Sequence, residues 1–132
     1  MFKSIDHIEI STLNIEESLE FYTEILGFKI KSRRKPQMSV SSLGKSGATE
    51  LAYLTLGNTT LELLEFPDAE PIPNHPHIGY RMMALSVDDM DVAIDHLRKH
   101  EVTISREPVR IGDSMRGEFK DNNGVTIEIR KW

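Results

Sequence analysis

His7-Ile8-Glu9-Ile10-Ser11 is a strand-like stretch that alternates polar and apolar residues, and its counterpart 75 positions later is Met82-Met83-Ala84-Leu85-Ser86. A second stretch, Thr60-Leu61-Glu62-Leu63-Leu64, returns 66 positions later as Thr126-Ile127-Glu128-Ile129. In each half the first stretch precedes a helical pattern and the second stretch closes the half. The chain therefore predicts two copies of one β-α-β-β-β unit, an α+β fold within a single domain.

The composition limits what kind of protein this is. At 132 residues, with 39% hydrophobic and 28% charged residues, the chain has the size and balance of one globular domain. It contains no cysteine, so a metal would be held by imidazole and oxygen ligands. The net charge of −5 argues against nucleic acid as a partner. No apolar run is long enough to span a membrane and no signal-peptide pattern is present, so we expect a cytoplasmic protein without a membrane partner.

The first module is predicted over about residues 1–66. A strand is expected from Ser4 to Ser11, and a helix from Ile15 to Ile25 with Asn14 as N-cap and Gly27 after its end. The remaining predicted strands are Phe28–Ser32 and a hairpin of Leu51–Leu56 and Thr59–Phe66 around the turn Gly57-Asn58. Residues 33–48 are polar and rich in turn formers, with a possible short strand at Met38–Ser42.

A proline-rich linker, residues 67–79, leads to the second module, over about residues 80–132. There we predict a strand at Tyr80–Val87 and a helix at Met90–His100, with Val92, Ile94 and Leu97 as its apolar positions. The closing strands are predicted at Val102–Ile104, Val109–Ile111, Met115–Lys120 and Val125–Arg130.

Alternation places four residues on the polar faces of their strands: His7, Glu62, Met82 and Glu128. Their apolar neighbours, such as Ile8 and Ile10, would face the helices. Imidazole and carboxylate are good ligands for a divalent metal, whereas a thioether is a soft and weak one. Three of the four positions are therefore candidate metal ligands, and Met82 stands where the repeat predicts a second histidine.

The chain resembles the vicinal oxygen chelate superfamily, which includes glyoxalase I and the bleomycin-resistance proteins. The matching motifs run in the family's order along the whole chain: Asp6-His7-Ile8-Glu9-Ile10, Ser18-Leu19-Glu20-Phe21-Tyr22, Leu26-Gly27-Phe28, Leu61-Glu62-Leu63, Ala84-Leu85-Ser86-Val87-Asp88-Asp89 and Asn123-Gly124-Val125-Thr126-Ile127-Glu128-Ile129. The resemblance implies two βαβββ modules whose mixed sheet curls into a cup, with the helices on the outer face. It also implies a divalent metal (Zn, Ni, Mn or Fe) bound by His7, Glu62 and Glu128.

The resemblance to glyoxalase I implies that the protein is a metal-dependent lyase or isomerase. Such an enzyme acts on a small oxygen-chelating substrate through a metal-stabilised enediolate. Glu128 inherits the role of the carboxylate that moves the substrate proton. We assign substrate binding to Met82, Arg130, Arg116 and Glu9; the arginines would bind a substrate carboxylate or neutralise the carboxylates of the cup. The resemblance also implies a homodimer.

Several alternatives remain open. Met82 favours a non-catalytic, antibiotic-type binding protein of the bleomycin-resistance kind, in which His7 would only be hydrogen-bonded to a glutamate. A more distant alternative is an extradiol-type dioxygenase, whose iron site needs two histidines and one carboxylate. His75 and His77 in the linker are the residues that would have to supply the missing imidazole.

Overall fold

The computed structural model describes residues 1–35 and 47–132. The chain is divided into two compact units, Met1–Glu70 and Pro71–Trp132, and the boundary falls inside the predicted linker. No helix among the described residues is both long enough and apolar enough to cross a membrane.

The described residues of the first unit form one helix and a four-stranded mixed sheet. Its elements are β1 (Ile8–Thr12), α1 (Ile15–Glu20) continued by a π-helical turn (Phe21–Ile25), β2 (Lys29–Arg34), β3 (Glu50–Leu56) and β4 (Thr59–Glu65). The strand order is β1-β4-β3-β2, with β1 parallel to β4 and the other pairs antiparallel. The helix packs against β3 and β4, where Leu54, Leu61 and Leu63 are fully buried.

The second unit repeats this plan. Its elements are β5 (Met83–Ser86), α2 (Met90–Lys99), β6 (Ile104–Ile111), β7 (Ser114–Lys120) and β8 (Thr126–Lys131), in the sheet order β5-β8-β7-β6. The strand β5 is parallel to β8. The fold is therefore α+β with two βαβββ modules, as the repeat predicted.

The parallel registers show how closely the modules correspond. Ile8 pairs with Leu61 in the first module, and Met83 pairs with Ile127 in the second. These positions are separated by the same 75 and 66 residues that relate the two sequence repeats. By this correspondence His7 is equivalent to Met82, and Glu62 to Glu128.

The local signals for helices and turns are confirmed. The side chains of Asn14 and Asp89 cap α1 and α2 by accepting the backbone N–H groups of Glu17 and Val92. Gly27 has a positive φ of 82°, which glycine adopts without strain. The end of the first predicted helix is π-helical, because the N–H of Leu26 donates to the carbonyl oxygen five residues back.

Most boundaries lie within one residue of the predictions, and larger differences occur at the start of β1, at the end of β2 and at the start of β5. The first strands of both modules begin later than Ser4 and Tyr80, at Ile8 and Met83, where pairing with β4 and β8 begins. The strand β2 continues to Arg34, and the proposed strand at 38–42 lies outside the described residues.

The two strands predicted at 102–104 and 109–111 are one strand, β6, with an irregular register between Arg106 and Val109. Pro108 has no N–H to donate, and an interrupted ladder accommodates it. Gly117 on the neighbouring strand leaves room for this irregular segment. A Cβ at position 117 would lie only 3.2 Å from the carbonyl oxygen of Arg106.

Two burial predictions are wrong. Val92, expected on the apolar face of the second helix, is 65% exposed, while Met90 takes its place in the core. Ile8, expected against the helix, is 38% exposed because β1 is an edge strand of its sheet.

Candidate metal centre

His7 lies directly before β1 and is held by its sequence neighbour. Its Nδ1–H donates to the Asp6 carboxylate at 2.7 Å, which leaves Nε2 available on the other side of the ring. The ring also meets Tyr53 edge to face, with 5.6 Å between the ring centroids. His7 is therefore oriented by a carboxylate and an aromatic ring.

Glu62 and Glu9 are brought to His7 by the register of the sheet. They are direct partners in the parallel β1–β4 ladder, so their side chains project from the same face. Oε2 of Glu62 lies 3.1 Å from His7 Nε2, and Oε1 of Glu9 lies 3.7 Å from it. The Glu62 side chain is fully buried, whereas Glu9 is half exposed and faces solvent.

These three residues have the chemistry of a divalent metal site. Their donor atoms all lie within 4.8 Å of one another. Ligand atoms that are each about 2 Å from a common ion lie roughly 3–4 Å apart. A small movement of the three side chains would therefore bring their donor atoms to the spacing of a metal site. One imidazole with two carboxylates suits Zn, Mn, Fe(II) or Ni. The Asp6–His7 hydrogen bond supplies the outer carboxylate that commonly accompanies a metal-bound histidine.

The electrostatic environment favours a positive charge at this point. The hydrogen bond to Asp6 is the main cause that raises the pKa of His7 above its ordinary value of 6.5. Burial of the ring opposes this effect, while the negative charges of Glu62 and Asp6 and a hydrogen bond to Glu9 add to it. A site that stabilises a protonated imidazole in this way also attracts a metal cation.

In the second module Glu128 has a different partner. Oε1 of Glu128 lies 2.8 Å from Nε of Arg130, so the two residues form an ion pair on one face of the sheet. Nε of Arg130 and Oε1 of Glu128 are both buried, and neither has a hydrogen-bond partner among the described residues. The ion pair therefore does not include a well-directed hydrogen bond from this N–H to this oxygen. Glu128 also stands opposite Glu118 across the β7–β8 ladder, and Arg106 is 3.5 Å from Glu118.

The remaining predicted substrate-binding residues lie in the second module. Arg116 is paired with Arg130 across β7 and β8, and its Nε donates to Ser114 Oγ at 3.0 Å. Met82 precedes β5 and is partly buried. The linker histidines, His75 and His77, are exposed.

The sequence predictions therefore divide into two groups. The structure brings His7, Glu62 and Glu9 together in the first unit, with Glu9 as a third donor. It brings Glu128, Arg130 and Arg116 together on one face of the second sheet.

Asp6 and Tyr53 were missed as site residues. A signal for Tyr53 was present, because the two-residue turn Gly57-Asn58 fixes the hairpin register that sets Tyr53 opposite Glu62.

Comparison with known proteins shows similarity along almost the whole chain. Residues 4–129 match the model of the Glyoxalase/Bleomycin resistance protein/Dioxygenase superfamily. The uncharacterized protein YaeR of Escherichia coli K12 is 32% identical over 131 residues, covering 96% of this chain and 95% of that protein. Mitochondrial methylmalonyl-CoA epimerase of Dictyostelium discoideum is 29% identical, covering 96% of this chain and 77% of that protein. A glyoxalase family protein from Enterococcus faecalis superposes with a TM-score of 0.80 at 25% identity, covering 98% of each chain.

Proposed function

Because the chain belongs to the Glyoxalase/Bleomycin resistance protein/Dioxygenase superfamily, we propose that it is a metal-dependent lyase or isomerase of the glyoxalase I type. It would move a proton on a carbon next to a carbonyl group of a small substrate with two adjacent oxygens. The observation that carries the proposal is the convergence of His7, Glu9 and Glu62, with Asp6 behind the imidazole.

We assign the metal to Nε2 of His7 and to the carboxylates of Glu62 and Glu9. A bound divalent ion would supply Lewis-acid stabilisation of negative charge on a substrate oxygen. The fully buried Glu62 would be the fixed carboxylate ligand. Glu9, which faces solvent, would be the ligand nearer to an arriving substrate. Glu9 thus takes part in metal binding in this proposal, instead of the substrate binding to which the sequence analysis assigned it.

Glu128 is our candidate for the proton-transferring carboxylate, because it is the second module's counterpart of Glu62. It would take the proton from the substrate carbon and return it to the same or the adjacent carbon. Arg130, whose Nε lies 2.8 Å from Oε1 of Glu128, would hold a positive charge beside that carboxylate and help to position it. Arg116 and Arg130 would bind a substrate carboxylate. Similarity to a protein named an epimerase favours the same class of proton transfer.

The test separates metal binding from proton transfer. We expect near-stoichiometric Zn, Ni, Mn or Fe in protein purified without chelators, measured by elemental mass spectrometry. The His7→Ala and Glu62→Gln variants should lose the ion, and Glu9→Gln should weaken its binding about 10-fold or more. Turnover should be followed as uptake of deuterium from D₂O at the substrate carbon. The panel would contain the hemithioacetal of methylglyoxal and glutathione, and methylmalonyl-CoA.

Glu128→Gln should keep the metal and lose at least about 100-fold of the exchange rate. Its matched control is Glu118→Gln, which removes the neighbouring carboxylate at similar burial and should retain activity. Loss of the ion from Glu128→Gln would make Glu128 a metal ligand, as the family resemblance implies. Metal-loaded protein that exchanges no proton on either substrate class would contradict the proposed reaction.

Met82 supports a second candidate, a non-catalytic protein that binds a small molecule. The repeat predicts a histidine at this position, and a thioether makes the surface softer and less polar there. Protein that takes up no added divalent ion, yet binds a ligand tightly and stoichiometrically, would favour this candidate. The dioxygenase alternative has less support, because the three-donor group contains one histidine and not two.

A further inference from the structure

A small cavity lies at one end of the second sheet, away from the residues assigned above. It has a volume of about 230 Å³ and is lined by Arg110, Asp113, Met115, Lys131 and Trp132. At roughly 30 Å³ per water molecule, this is room for about eight waters. A single ring with one substituent is therefore the size of ligand that the cavity admits.

The ladder explains why two cations meet at this cavity. Arg110 pairs with Met115, and Met115 pairs with Lys131, so the three side chains form one row across β6, β7 and β8. Strand alternation places this row on the opposite face from Arg116 and Arg130. The row therefore lies on the other face of the sheet from Arg116 and Arg130, and Arg130 meets the lining of the cavity through the ring of Trp132.

Neither cation of this row is neutralised by a residue that the structure describes. Within the chain segments that the structure describes, Arg110 and Lys131 form no ion pair, in contrast to Arg33, Arg98, Arg106 and Arg130. Asp113, at the β6–β7 turn, also lines the cavity but is not paired with either of them. Two unpaired cations beside one carboxylate leave a net positive charge, which favours an anionic ligand.

Trp132 adds an aromatic surface to this charge. The guanidinium carbon of Arg130 lies over one face of the ring, 5.0 Å from its centroid. The ring is 73% exposed, so most of its surface remains open to a ligand. Together with the thioether of Met115 it provides an apolar wall against which a planar group can stack.

We propose that this cavity is a binding site for a small aromatic carboxylate, with its ring against Trp132 and its carboxylate between Arg110 and Lys131. The ring supplies the apolar contact area, and the two cations distinguish the anion from a neutral analogue. Asp113 opposes binding of the anion. Removing the charge of Arg110 or Lys131 should therefore weaken binding, and removing the charge of Asp113 should strengthen it.

The experiment uses the only tryptophan of the chain as its reporter. Benzoate is titrated into the full-length protein, and the indole N–H signal of Trp132 is followed in ¹H–¹⁵N NMR spectra. We expect a saturable shift with benzoate and a much smaller one with benzyl alcohol, which has the same ring without the charge. Arg110→Ala and Lys131→Ala should each weaken benzoate binding by about 3- to 5-fold, and Asp113→Asn should tighten it by about 2-fold.

Lys99→Ala is the matched control, because Lys99 is an exposed cation at the end of α2 in the same unit. It should leave benzoate binding unchanged. Three results would each overturn the proposal: no shift up to about 10 mM benzoate, an equal response to benzyl alcohol, or equal affinities in the charge variants and the control.

Discussion

The fully buried carboxylate of Glu62 is the most demanding single residue in the first module. Removing a carboxylate from water costs several kcal/mol unless positive charge or hydrogen-bond donors compensate. His7 Nε2, 3.1 Å away, is a donor when the ring is protonated, and in our proposal it is a metal ligand when the ring is neutral. A protonated imidazole or a bound ion would each place a cation beside the Glu62 carboxylate, which gives a physical reason for pairing these residue types.

Asp6 should tune this site without touching the metal. Its carboxylate accepts the Nδ1–H of His7 and so directs Nε2 toward the two glutamates. We expect Asp6→Asn to weaken binding of a divalent ion by about 10- to 100-fold, the effect typical of losing such an outer partner. The measurement is a metal titration at about pH 8, well above the ordinary histidine pKa, to limit competition from protons.

Asp91→Asn is the control for this variant, because Asp91 is an exposed aspartate on α2 and should leave the affinity unchanged. The same pair of variants should differ in the NMR titration of His7. In metal-free Asp6→Asn the pKa of His7 should move down toward 6.5, since its largest raising cause is gone. Wild-type affinity in Asp6→Asn would mean that the imidazole is oriented by other contacts.

At the level of secondary-structure elements, one guanidinium connects three segments of the first module. Arg33 on β2 donates to Glu16 on α1 at 2.5 Å and to Glu50 on β3 at 2.6–3.0 Å. Hydrogen bonding by Arg33, followed by its charge, lowers the pKa of Glu16 below its ordinary value of 4.5. These ion pairs attach the N-terminal turn of the helix to the edge of the sheet.

The direction of this shift predicts how stability changes with pH. A carboxylate whose pKa is lower in the folded state contributes stability above its unfolded value, about 4.5 here, and loses it as pH falls through the folded value. Arg33→Gln should therefore reduce the free energy of unfolding at neutral pH, and the difference from wild type should shrink below about pH 4.5. Urea denaturation at several pH values measures this.

Arg34→Gln is the matched control, one residue along the same strand and exposed. It should change stability by the same small amount at every pH. Carbon-13 NMR of the Glu16 carboxyl gives an independent check, because its pKa should rise toward 4.5 in Arg33→Gln and stay low in Arg34→Gln. An unchanged Glu16 titration in Arg33→Gln would show that the ion pair does not persist in solution.

At the scale of the whole molecule, the internal repeat explains what sequence reasoning could reach. The repeated stretches predicted both modules, their hairpins, and the equivalence of Glu62 and Glu128, because the register of a sheet follows from alternation and turn length. The proximity of His7 and Glu62 was implied by the family resemblance, because alternation shows only that each lies on the polar face of its strand. The role of Glu9 could not be predicted, because alternation shows which face a residue occupies and not which neighbour its side chain approaches.

Two of the errors have a common physical origin in the edges of the sheets. Whether Ile8 is covered depends on which strand lies beside β1, and alternation within one strand does not contain that information. The sequence predicts two strands on either side of Pro108, whereas the irregular register and Gly117 accommodate this proline within one strand. Both cases depend on a neighbouring strand that is distant in sequence.

The equivalence of the modules makes a final prediction about stability. Leu61 and Ile127 occupy equivalent positions on the strands that pair with β1 and β5, and both are fully buried. Their partners Ile8 and Met83 lie on edge strands, where Ile8 is exposed and Met83 is partly buried. We expect Leu61→Ala and Ile127→Ala each to reduce the free energy of unfolding by about 2–5 kcal/mol, because each leaves a cavity in a closed core. Ile8→Ala and Met83→Ala should cost less than about 1.5 kcal/mol, since their sites are already open to water.

Urea denaturation of the four variants measures this order. The same ranking in both modules would follow from a shared packing plan, whereas a costly Ile8→Ala would mean that β1 is covered in solution by a surface that its own module does not provide.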